Sequence, residues 1–95
     1  LYSITLSNIG EAFYHLRKYD SALYYQNRAL PIKKRVGDRR RLAISMYDLG
    51  RIYYQRGQYP TAVAFSDSAL QLAEDIKAKE LEMNSLLLLS DINKA

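Results

Sequence analysis

Lys33, Lys34, Arg35, Arg39, Arg40 and Arg41 put six of the fourteen basic residues within nine positions, with Asp38 the one acid among them. The chain carries a net charge of +4, and outside that run eight basic residues stand beside nine acidic ones, so the remainder is nearly neutral. A cluster of this kind can contact phosphate or an acidic partner. It reads first as a solvated inter-helix loop with helix-end charges, because nucleic-acid binders spread basic charge over a whole face. Glu11 and Asp48 can face each other across adjacent helices, and the nearby Arg51 makes them an ion-pair network rather than an acid–base pair. Asp20, Asp67, Glu74, Asp75, Glu80 and Glu82 read as solvated faces and helix ends. His15 is the only histidine, and a lone His holds no metal without other convergent ligands.

The motifs of common enzyme chemistry are missing. The sequence has no Gly-rich phosphate loop, no His-Glu-x-x-His, no Cys pair and no Gly-x-Ser-x-Gly elbow. Catalytic residues, cofactors and metals are therefore not expected. Of the nine tyrosines, most read as packing residues with the hydroxyl reaching water. Tyr14, Tyr47 and Tyr54 divide evenly between packing and contact with a partner.

The elements that would position these side chains are helices. The 95 residues suffice for one small domain or a slice of a larger array, and 48% hydrophobic with 25% charged residues is ordinary globular composition. Four Gly and two Pro are too few for a loop-rich all-β protein, and the absence of Cys rules out disulfides. No apolar run approaches the ~18 residues of a membrane span; none is longer than Leu86 to Leu89. The chain begins at Leu1 without a visible targeting segment, which reads as a piece of a longer protein and leaves a cytoplasmic or periplasmic location open.

An internal repeat fixes the architecture. Gly10 and Gly50, Tyr14 and Tyr54, Tyr19 and Tyr59, Ala22 and Ala62, Tyr25 and Phe65, Ala29 and Ala69, Leu30 and Leu70 each pair at a spacing of 40 residues without a gap. A third copy begins at Leu89 and Ser90. Each copy reads as two helices. Leu6, Ile9, Phe13 and Leu16 recur at helical spacing in the first, and Leu42, Met46, Leu49 and Tyr53 in its counterpart. Gly37 and Gly57 are stops and Pro60 is a start. The periodicity predicts helices near 2–17, 20–36, 38–56, 60–76 and 78–93, with Pro31 kinking or ending the second. Gly10 and Gly50, inside helices, are expected to let two backbones approach opposite Ala22 and Ala62.

These residues resemble the tetratricopeptide repeat: an apolar residue and Gly, an aromatic three on, a turn with Tyr, then Ala, and Ala-Leu seven later. The 40-residue period is longer than the usual ~34. It is closer to the long repeats of kinesin light chains, Rap-type bacterial regulators and the sensory arrays of some bacterial histidine kinases and transcription regulators. The phrases ALPIKKRVGD and ALQLAEDIKAKELE look most like the bacterial sensory group. Gln26 and Ser66 stand where the family usually carries an aromatic, and the ring comes one residue earlier, at Tyr25 and Phe65.

The resemblance implies an all-α right-handed superhelix: repeat 1 over about 3–36, repeat 2 over about 38–76, and the first helix of repeat 3 over about 78–93. It further implies that first helices line a concave peptide groove. Carried over, the groove positions are Ser7, Asn8, Glu11, Tyr14 and His15, then Tyr47, Asp48, Arg51, Tyr54 and Gln55, then Leu87, Asp91 and Lys94. Ser7 and Glu11 hold positions that the carboxylate-clamp members fill with Lys and Asn, so capture of a C-terminal carboxylate is not expected. The leading function is a protein- or peptide-binding scaffold, a sensory or adaptor segment of a bacterial signalling or transcription-regulatory protein. An oligomerisation or spacer element comes second, and nucleic-acid contact through Lys33 to Arg41 third. Leu81, Met83, Leu86, Leu87, Leu88, Leu89 and Ile92 surround much of the last helix, so self-association through it is expected.

Overall fold

The computed structural model describes residues 2–94, with side chains from Thr5 onward. Five helices follow one another: α1 (Tyr2–His15), α2 (Tyr19–Val36), α3 (Arg39–Gln55), α4 (Tyr59–Asp75) and α5 (Lys79–Lys94). No strand occurs among the described residues. Each helix packs on the next, and α1 also meets α3, and α3 meets α5. The first helices thus form one layer and α2 and α4 the other, an all-α superhelix of the tetratricopeptide kind. No helix among the described residues is long and apolar enough to cross a membrane.

The turns repeat as the sequence does. After α1, Arg17 takes a left-handed φ of 62°, Lys18 N–H reaches Phe13 O at 2.9 Å and Arg17 N–H reaches Tyr14 O at 2.9 Å. This crossed pair closes a helix end by satisfying its last carbonyls. Forty residues on, Gly57 (φ 78°) makes the same pair, with Gln58 N–H to Tyr53 O and Gly57 N–H to Tyr54 O. Gly37 (φ 80°) and Lys77 (φ 58°) occupy the left-handed position at the other two turns. At the start of α3, the Asp38 carboxylate accepts from Arg41 N–H at 3.1 Å, so the acid within the basic run is the helix cap.

Packing within each hairpin explains the unusual residues 25, 26, 65 and 66. Tyr25 stacks on Phe13 (5.6 Å, 8°) and Phe65 on Tyr53 (5.5 Å, 6°). Placing the ring there leaves 26 and 66 facing the helical glycines. A Cβ on Gly10 would lie 3.0 Å from Gln26 Cγ and 3.3 Å from Ala22 O; on Gly50 it would lie 2.7 Å from Ser66 Oγ. The close approach expected opposite Ala22 and Ala62 therefore falls mainly on Gln26 and Ser66, one turn further along. Tyr19 and Tyr59 close the turn ends against Tyr14 (5.8 Å) and Tyr54 (5.9 Å).

Three expectations need correction. Pro31 does not end α2, which runs on to Val36; beyond the proline the helix is held by tertiary contacts, among them a buried Lys33. The apolar stripe of α1 is only partly covered: Leu6 is buried, but Ile9 and Leu16 are exposed. Its counterpart Leu49 is fully buried because Ala22 and Leu23 of the preceding α2 pack on it, and no described helix precedes α1. The basic run is not uniformly solvated, as its first member shows below.

Candidate functional site

The layer of first helices carries a chain of adjoining depressions. One of about 170 Å3 is lined by Tyr14, Tyr47, Arg51, Tyr54, Gln55, Asn84, Leu87, Leu88 and Asp91. A second, lined by Glu11, Arg40, Ile44, Tyr47, Asp48, Arg51, Glu80, Leu81 and Asn84, shares three of those residues. A third continues from it through Ser7, Asn8, Lys33 and Arg41, and a fourth takes in His15 beside Tyr14 and Gln55. Of the thirteen positions carried over from the sequence, the twelve from Ser7 to Asp91 line this continuous groove. Lys94 does not line it.

Arg51 is the hub. Its Nη2 donates to Asp48 Oδ1 at 2.9 Å and sits 3.5 Å from Glu11 Oε1. The guanidinium lies 4.4 Å from the Tyr14 ring centroid and 5.2 Å from that of Tyr47. Two carboxylates and two ring faces thus hold one cation between α1 and α3, the network expected from Glu11, Asp48 and Arg51. Arg51 Nε is buried without a hydrogen-bond partner among the described residues. Burial pushes the Asp48 carboxyl up to about 6, with Glu11 adding to the rise and Arg51 opposing it. Burial likewise raises the Tyr47 phenol.

Lys33 is the residue the sequence misplaced. It is 4% exposed, and its Nζ donates to Ser7 Oγ on α1 and Ser45 Oγ on α3, each at 2.6 Å. Burial lowers its pKa, against the raising effect of Asp48. One ammonium thereby ties three helices together. The other copy hinted at this: 40 residues on stands Ala73, fully buried. Of the remaining run, Arg39 pairs with Asp75 at 3.3 Å and Arg41 with Asp38 at 3.2 Å. Glu80 and Asn84 were also missed. They share a stripe with Leu87 and Asp91 at i, i+4, i+7 and i+11, a helical spacing that was available in the sequence.

A two-layer stack of helical hairpins with a groove along its first helices defines a helical-repeat scaffold. A family model described as tetratricopeptide repeat matches residues 1–75, and the chain belongs to the tetratricopeptide repeat family. Repeats of this family generally mediate protein–protein interaction and are a non-catalytic scaffold type. No curated protein matches the chain.

Proposed function

We propose that this chain binds a protein or peptide segment in the groove formed by α1, α3 and α5, and that it does so as a scaffold rather than as an enzyme. The observation that carries the reading is the single groove lined by the twelve positions from Ser7 to Asp91. Its walls mix rings, amides and charges. Tyrosine gives contact area at low entropic cost, and Asn8, Gln55 and Asn84 can pair with both N–H and C=O of a peptide backbone. The 40-residue period and the phrases around Ala29 and Ala69 support the finer reading of a sensory or adaptor segment in a bacterial signalling or transcription-regulatory protein.

Peptides selected from a displayed library should lose binding to Tyr47→Ser and Arg51→Ala but keep it for Asp67→Ala on the outer helix. Binding that survives both groove changes would place the partner elsewhere. A second reading has its own observation: Met83, Leu86 and Leu87 of α5 are 59%, 52% and 56% exposed. Exposed apolar surface of this kind tends to find a protein neighbour, and we infer self-association through α5. Light scattering over a concentration series should show a mass increase that Leu86→Glu abolishes; a strict monomer at high concentration refutes it.

A further inference from the structure

We propose that the α3–α5 half of the groove selects a basic peptide segment, with one Lys or Arg side chain against Tyr54 and Asp91 and a second cation near Glu80. This rests on the groove being the binding face.

The protein contains a template for the contact. Between α1 and α3, Arg51 lies 4.4 Å from the ring centre of Tyr14 with acids at 2.9 and 3.5 Å. One repeat further, Tyr54 stands for Tyr14, and Asp91 stands for Arg51. The ring is kept and the cation is replaced by an acid. In the same register Arg51 stands for Glu11, so the chain's own cation at this level is Arg51, and any further one has to come from outside the chain. Arg51 also lines this depression, but its guanidinium is already committed to Asp48 and Glu11. Among the described residues no ion pair or side-chain hydrogen bond engages the exposed Asp91, whose charge bears on the Tyr47 phenol. A cation over a tyrosine face with a carboxylate beside it is attracted by both.

The second acid sets a spacing. Glu80, Asn84, Leu87 and Asp91 lie on one stripe of α5. Glu80 is exposed, lines the adjoining depression and has no ion-pair partner among the described residues. Eleven residues of helix separate the two acids, roughly 16 Å at 1.5 Å per residue. An extended peptide covers most of that in about four residues, a spacing that keeps both side chains and the one midway between them on the same face. Leu87, 56% exposed, lies between them and suits an apolar side chain at the middle of the segment.

Charge location favours a basic over an acidic partner here. The two depressions together are lined by Glu11, Asp48, Glu80 and Asp91 against Arg40 and Arg51. The net charge of +4 arises outside these two depressions, from exposed Lys18, Lys34 and Arg35 among others and from Arg17 in the neighbouring depression. Long-range attraction would therefore draw acidic peptides, so a preference for a basic one has to come from the groove itself.

The test is fluorescence anisotropy with three labelled peptides that share a central leucine. One carries arginines four positions apart, one carries glutamines there, and one glutamates. The arginine peptide should bind at least ten-fold more tightly than either other. Asp91→Asn should weaken it several-fold, and adding Glu80→Gln should bring it to the level of the glutamine peptide, while Asp67→Asn leaves it unchanged. If the glutamate peptide binds most tightly and Tyr47→Ser weakens it, the groove binds peptides and the charge selection is wrong. If none of the three binds, the selection is equally refuted, and the library experiment alone then decides the groove reading. An equal loss in Asp67→Asn and Asp91→Asn would mean that attraction is diffuse and no such subsite exists.

Discussion

Gly50→Ala measures how closely α3 and α4 approach. The added Cβ would lie 2.7 Å from Ser66 Oγ, 3.3 Å from Leu88 Cδ2 and 3.4 Å from Ser66 N. The leucine methyl can move, but the hydroxyl is held by its own bond to Ala62 O at 2.7 Å. Overpacking of this kind costs ~1–3 kcal/mol, whereas replacing Gly by Ala inside a helix gains about 1 kcal/mol. The net change should be a loss of roughly 0–2 kcal/mol. Removing the obstructing oxygen with Ser66→Ala leaves only contacts that small shifts absorb. In that background Gly50→Ala should stabilise the protein by up to ~1 kcal/mol. The sign reversal is the signature, and the double-mutant cycle should show a coupling of about 1–3 kcal/mol. Urea denaturation of the four proteins gives the numbers. Additive effects, with Gly50→Ala stabilising in both backgrounds, would show that the helices are not in contact at this point. Gly10→Ala should be milder, because its nearest neighbours are the flexible Gln26 Cγ at 3.0 Å and Nε2 at 3.1 Å.

Asp48 titrates near 6 when folded against 3.8 in a model peptide, so the folded state binds this proton more tightly than the unfolded state does. Its contribution is most favourable below about pH 4 and is lost as pH rises to about 6, by up to ~3 kcal/mol; Asp48→Asn should flatten that part of the stability profile, and an unchanged slope refutes the assignment. Lys77 holds a left-handed φ of 58°, which costs a non-glycine residue ~1 kcal/mol, so Lys77→Gly should raise the melting temperature, and a lowered one would mean that the side chain compensates elsewhere. Pro31 sits inside α2, where it removes one backbone bond and crowds the Asn27 carbonyl. Pro31→Ala should therefore stabilise by ~1–3 kcal/mol in the same urea assay, and a loss of stability would show that the proline conformation is required.

The repeat made the helices and their order legible without coordinates. Residues 40 apart share local chemistry, and local chemistry decides where a helix starts and stops: Gly37, Gly57 and Pro60 mark the ends because φ and N–H constraints act within a few residues. The ion-pair network of Glu11, Asp48 and Arg51 was also readable, since helical spacing and repeat register together bring those positions to one seam. Partner identity at the close approaches was not readable in the same way. Whether Ala22 or Gln26 faces Gly10 depends on how far one helix slides along the other, a distance set by packing of the whole hairpin. Lys33 shows the limit most clearly. Beside Lys34 and Arg35 it belongs to a charged run, and composition assigns it to solvent. Its burial comes from Ser7 and Ser45, hydroxyls 26 and 12 residues away in sequence that offer acceptors at 2.6 Å. A buried ammonium is tolerated only where such acceptors converge, and convergence is a property of three packed helices. The sequence by itself determined which segments are helical and that they stack; only the tertiary structure decided which charges face water, because burial is a relation between segments and has no local signal.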